Sequence, residues 1–241
     1  MIFEFVLFIG SLAGGLIAAI SGFGIGSVLT PMVSTRIDTK LAVAVVSIPH
    51  LAGTFIRFLK LRKQINRTLA LTFGAASAIG GLAGALLNAY ANGPMLGYVF
   101  GALLVFAGLS GVTGIAEHIE LRGPWRWIGG FASAAFGGPV GNQGGIRSAA
   151  MLGFDLSKES FVATATAIAL VVDGARMPVY FVMEHQQLLT VWPIILIATV
   201  GVIVGTLIGS YLLGRIAERM FKRIVSILML GLGVYMLVRP G

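Results

Sequence analysis

The chain has 241 residues, 57% of them hydrophobic and only 11% charged, with a mean hydropathy of +0.95; ordinary globular chains carry roughly 25% charged residues, and no soluble fold could hide this much apolar surface. Seventeen Lys and Arg against nine Asp and Glu would suggest nucleic acid in a soluble protein, but here the basic residues gather in short loops, where they orient a chain in the bilayer. The lack of cysteine excludes disulfides, thiolate metal sites and thiol catalysis.

Runs of about 20 apolar residues recur along the whole length, as hydrocarbon-spanning helices require, and no polar segment is long enough to fold separately. The reading is one integral membrane domain over residues 1–241, an all-α polytopic membrane protein. Its N-terminus, "MIFEFVLFIG", has no basic n-region, so the first hydrophobic segment is expected to be retained rather than cleaved. Residues 10–33 then lead through small residues into the glycine cluster "SGFGIGS" at 21–27. Three full spans are expected next, at about 40–60, 68–88 and 94–116. The first carries His50 beside Pro49, then Arg57, and it ends in the most basic loop, with Lys60, Arg62, Lys63 and Arg67.

The order then recurs. "GGFASAAFGGPVGNQGGIRSAAML" (129–152) matches residues 10–33, and the stretch 156–181 matches 38–58, setting Arg57 against Arg176. Spans are expected at about 160–183, 190–213 and 220–238, with a second basic loop at Arg215, Arg219, Lys222 and Arg223. Two repeats result, about 1–118 and 119–241, and weak internal symmetry of this kind is common in secondary transporters, where the substrate site lies between the repeats. Glycine-rich apolar helices also resemble one another without such descent.

Loop charge sets the orientation. Both basic loops should be cytoplasmic, yet eight plain crossings would place them on opposite sides. The parity is repaired if each glycine-rich stretch enters and leaves by one face, as a re-entrant or broken helical hairpin with two arms of roughly 15 residues, about 22 Å each if helical. Three full spans per half then make the repeats inverted. Both termini and loops 88–93 and 184–190 fall outside, and loops 60–67, 117–126 and 214–223 inside. In a competing arrangement residues 3–20 cross fully.

Non-helical backbone at membrane depth is tolerated only where protein or a water-filled cavity satisfies it. A helix beginning there points free N–H groups and a positive dipole end into the cavity, a ready anion site. The tips are therefore candidate substrate-binding positions: Gly22, Gly24, Gly26 and Ser27, with Ser21 adding a hydroxyl, from the first half, and Gly141, Asn142, Gln143 and Gly144 from the second. The alternative is that these glycines only let helices pack closely.

Charged residues inside spans are costly and mark function. Asp173 and Arg176 lie three apart on one helical face, with Pro178 following to disturb the backbone; they form an internal pair, or Arg176 meets substrate. Arg57 meets the anion or snorkels to the interface. Arg147 points at the anion or marks the cavity mouth. His50 and Asp173 are the proton-coupling candidates, imidazole as a type titrating near neutrality; His50 as a packing residue is the alternative. No Ser-His-Asp set, metal-spaced cluster or P-loop is present, so neither an enzyme nor a cofactor or metal site is expected.

The pairing of "SGFGIGSVLTPMV" (21–33) with "GGPVGNQGGIRSAAMLGFDLSKESFVATATAIALVVDGARMPVY" (137–180) resembles the TauE/SafE family of bacterial membrane proteins, the sulfite exporter type, over essentially the whole chain. Gly22, Gly24, Gly26 and Pro31 match its Gly-rich motif ending in Pro. The second copy departs, with Gly141, Asn142, Gln143 and Gly144 in place of the usual glycine run and Ser148 where the first copy has Pro31. The resemblance implies movement of small sulfur-containing anions such as sulfite or sulfoacetate across the bacterial cytoplasmic (inner) membrane. The expected function is a secondary transporter of such anions by alternating access between inverted halves; an anion channel and a non-transporting scaffold subunit are the alternatives. The expected partners are the small anion and the lipid bilayer, not nucleic acid, with proton or sodium as coupling ion and a homodimer both compatible.

Overall fold

The computed structural model describes residues 2–87, 94–113, 123–137 and 143–239, and among them every regular element is helical. The order is α1 (Ile2–Ser21), α2 (Ile25–Ser34), α3 (Thr39–Leu61) with a 3-10 turn (Arg62–Gln64), α4 (Arg67–Leu87), α5 (Pro94–Thr113), α6 (Pro124–Gly137), α7 (Gln143–Met151), α8 (Lys158–Thr190), α9 (Trp192–Leu213) and α10 (Glu218–Val238). Five of these, α1, α3, α8, α9 and α10, are long and apolar enough to cross a membrane. The outer surface is correspondingly apolar: Leu71, Phe106, Val182 and Leu196 are all exposed, the inverse of a soluble helix bundle. The chain is an all-α multi-pass membrane protein.

Helix pairing relies on glycine. A Cβ on Gly205 of α9 would lie 2.0 Å from the Leu12 carbonyl oxygen of α1, and one on Gly80 of α4 would lie 2.2 Å from the Phe131 carbonyl oxygen of α6. Lipid supplies no hydrophobic drive between helices, so close backbone approach at small residues substitutes for it. The pairings come in exchangeable sets. α1 packs on α9 as α6 packs on α4, α3 on α9 as α8 on α4, and α1 on α2 as α6 on α7, while α3 meets α8 and α5 meets α10.

The two ends of the stack differ in charge. At one end the Asn66 N–H donates to Thr164 Oγ1 at 2.9 Å, and Lys158 Nζ donates to the Ile216 carbonyl. Both basic loops therefore lie at this end, as their charge predicts. The Arg126 guanidinium, near the start of α6, sits 5.4 Å from the centre of the Phe154 ring just past α7, so the second hairpin enters and leaves here. At the opposite end the Arg36 guanidinium, just past α2, lies 4.9 Å from the centre of the Phe3 ring in α1. The first hairpin thus begins and ends at that end, and α1 itself is long and apolar enough to cross a membrane.

Three expectations need correction. The arms of the first hairpin are unequal, 20 and 10 residues, rather than two of about 15. In the first hairpin the break falls where Gly22 (φ 83°) and Gly24 (φ 132°) adopt left-handed backbone, which side-chain-bearing residues avoid. Residues 184–190 are helical rather than a loop, because α8 runs on to Thr190 and the chain turns only at Val191, just before Pro193 in the first turn of α9. Pro178 does not interrupt α8. It lacks the N–H that would have met the Gly174 carbonyl, yet the helix continues through it.

Candidate functional site

The first hairpin tip meets the start of α7 in the interior. A Cβ on Gly144, in the first turn of α7, would lie 2.6 Å from Phe23 Cβ in the first tip. The bend there is held by Ser21, whose hydroxyl lies 2.8 Å from the Ile17 carbonyl oxygen and accepts from the Phe23 N–H at 3.4 Å. Ser21 is thus a turn residue and not the hydroxyl donor to substrate that its sequence position suggests. Gly24 caps α2 with no side-chain hydrogen bond, so no capping hydroxyl or carboxylate covers the start of that helix from this position.

In front of both tips is a cavity with an empty volume of about 510 Å³, counting the part open to solvent. Gly24, Gly26 and Ser27 of the first hairpin and Gly144 and Arg147 of the second line it, with His50 from α3 and Asp173 and Arg176 from α8. Two helix N-termini, those of α2 and α7, therefore face one space, and their dipoles add positive potential there. Gly22 is not on the cavity; it packs against α8, where a Cβ would lie 3.2 Å from that of Ala165. Gly141 and Asn142 lie outside the described residues, as does the side chain of Gln143, whose backbone opens α7.

Asp173 joins the charged residues. Its Oδ1 accepts from Arg176 Nε at 3.1 Å and Nη2 at 2.8 Å within α8, and its Oδ2 lies 2.6 Å from His50 Nδ1 on α3. The Arg176 guanidinium also sits 5.8 Å from the centre of the Tyr180 ring. The internal pair expected from the spacing is present, and it also ties two helices together through a histidine the spacing did not connect. Arg176 lines the cavity with its charge neutralised.

Arg147 is different. It is only 3% exposed, its Nε has no hydrogen-bond partner, and it lines the cavity from the second turn of α7 rather than marking a mouth. Arg57 is 1% exposed, which rules out snorkelling to the interface, and it does not line the cavity. Its Nη2 donates to Thr54 Oγ1 at 3.1 Å, while Nε and Nη1 have no partner.

Sequence reasoning missed Phe23, Thr30 and Ser47 on the cavity wall. The Ser47 hydroxyl donates to the Ala44 carbonyl at 2.6 Å and lies 3.0 Å from Met177 Sδ. Helical spacing held the signal: Ser47 is one turn before His50 and Thr30 one turn after Ser27. Among the described residues no group of three or more His, Asp or Glu is placed to hold a metal ion.

Comparison with known families matched the one described as Sulfite exporter TauE/SafE over residues 6–236. Searches of curated proteins and of solved structures gave no match.

Proposed function

The chain belongs to the sulfite exporter TauE/SafE family, and from that premise we propose that it is a secondary transporter of a small sulfur oxyanion or organosulfonate, not an enzyme, in the bacterial inner membrane. The observation that carries this reading is the cavity in front of the first tip and the start of α7, lined by a buried Arg147 with an unpartnered Nε. Guanidinium matches the oxygens of sulfite or a sulfonate and stays charged when buried. Arg147 is the direct ligand, and Gly24, Gly26, Ser27 and Gly144 bring backbone and hydroxyl donors close to the anion.

Alternating access follows from the arrangement of halves. Repeats of about 1–118 and 119–241, related by inversion, account for hairpins that open at opposite ends and for helix pairings that exchange in sets. Rocking one half against the other would close the cavity on one side of the tips and open it on the other. Asp173 and His50, which bridge α3 and α8, would couple a proton to that motion.

The test is reconstitution into liposomes with radiolabelled sulfite, thiosulfate, sulfoacetate and acetate. Saturable counterflow of a sulfur anion is the expected result. Conductance without saturation or counterflow would identify a channel, and silence toward every anion would identify a scaffold; either overturns the reading.

A further inference from the structure

The internal symmetry has one chemical break. Setting Arg57 against Arg176 sets Thr54 against Asp173, and the structure keeps the geometry of both pairs. Arg57 Nη2 donates to Thr54 Oγ1 at 3.1 Å, three residues back on α3, as Arg176 Nη2 donates to Asp173 Oδ1 at 2.8 Å, three residues back on α8. Only the second pair contains a counter-charge. Arg57 is left buried with two unpartnered nitrogen groups.

Its position matters as much as its charge. His50, on the cavity wall, lies seven residues before Arg57 on α3, two turns or about 10 Å along the axis toward the basic end. Thr54 is between them at the same helical spacing. Arg57 therefore sits behind the cavity on the side of the basic loops, within the electrostatic reach of Arg147 and of Asp173.

Counting follows. Among the described residues the buried charged groups are Arg57, Arg147, Asp173, Arg176 and Lys158. Lys158 is held at the basic end by Glu159 and the Ile216 carbonyl. Asp173 neutralises Arg176, so with His50 neutral two positive charges stand uncompensated around the tips. A protonated His50 adds a third. Buried charge without a partner is costly, and two like charges in one field add to that cost; a single-charged anion would compensate only half of it.

We propose that Arg57 sets the charge of the cargo: together with Arg147 it makes the interior doubly positive, so the anion held most tightly is a doubly charged oxyanion, with Arg57 as its second station on the cytoplasmic side of the tips. This rests on the transport reading above and deepens it.

The test compares sulfate and thiosulfate with methanesulfonate, which presents the same SO₃ face with one charge fewer. Binding is measured on the purified full chain in detergent, at constant ionic strength so that screening is equal. The wild-type protein is expected to bind the dianions at least about tenfold more tightly than methanesulfonate, as one extra buried charge contact implies. Thr54→Asp supplies Arg57 with the partner Arg176 already has, and is expected to remove the preference while leaving methanesulfonate binding in place. Arg57→Gln should act the same way, and Arg57→Lys should keep the preference. Because Thr54→Asp pairs a buried charge rather than orphaning one, it reads out the proposal even where Arg57→Gln fails to fold. Wild-type protein that binds methanesulfonate as tightly as sulfate overturns the charge assignment and leaves anion transport standing. A dianion preference that survives Thr54→Asp removes Arg57 from the assignment. Binding of none of these anions overturns this inference and the anion-binding role of the cavity together.

Discussion

His50 Nδ1 lies 2.6 Å from Asp173 Oδ2, a contact that joins α3 to α8 on the wall of the cavity and brings an imidazole onto a carboxylate already shared with Arg176. His50→Ala is expected to abolish anion movement driven by a pH gradient while leaving radiolabelled counterflow, which needs no driving force, in place. Gradient-driven uptake that persists in the variant would remove His50 from the coupling step.

Asp173→Asn strips Arg176 of the carboxylate it pairs with among the described residues. With Asp173 at 2% side-chain exposure and Arg176 at 9%, breaking one side of the pair should lower stability by roughly 3–5 kcal/mol. The double variant Asp173→Asn with Arg176→Gln leaves the sum of buried charge unchanged. It is expected to recover most of the thermal stability and to keep the preference for dianions. Recovery of folding with anion binding still lost would make Arg176 a direct ligand.

Gly144 and Gly174 test close approach at the site. A methyl on Gly144 would meet Phe23 Cβ at 2.6 Å, whereas nothing lies within 4 Å of one on Gly174, which neighbours Asp173. Gly144→Ala should lose transport and about 1–3 kcal/mol of stability through overpacking at the tip contact. Gly174→Ala should be active and gain about 0.5–1 kcal/mol from helix propensity. Thermal unfolding in detergent together with counterflow measures both; a Gly144→Ala variant with normal activity would show that the tips separate freely.

Orientation is read by labelling. The chain has no cysteine, so single cysteines at Gln64, Gln187 and Arg219, all exposed, report without background. Those at Gln64 and Arg219 should be protected from an impermeant thiol reagent added outside, and that at Gln187 should label. Opposite behaviour of Gln64 and Arg219 contradicts their placement at one end.

Much of this was legible in local pattern. The transfer of apolar residues out of water acts residue by residue, so length and hydropathy gave the helices near their observed bounds. Charge near span ends acts on short loops, so Lys60 to Arg67 and Arg215 to Arg223 could be assigned to one side. The Asp173–Arg176 pair follows from a three-residue spacing on a single helix, and the break near Gly22 and Gly24 from backbone angles that belong to glycine alone.

The rest depends on how the helices seat against one another, and that is set by backbone contacts no local pattern encodes. The seam at Leu12 and Gly205, and its counterpart at Phe131 and Gly80, fix the relative depth of elements far apart in the chain. Only then does His50 reach Asp173 across 123 positions, Arg147 come to line the cavity, and Arg57 fall behind the cavity instead of on it. Sequence determined which groups are charged and which helix face each occupies; tertiary packing decided which of those charges are neutralised, because compensation in a low-dielectric interior is a matter of a few ångströms between different helices.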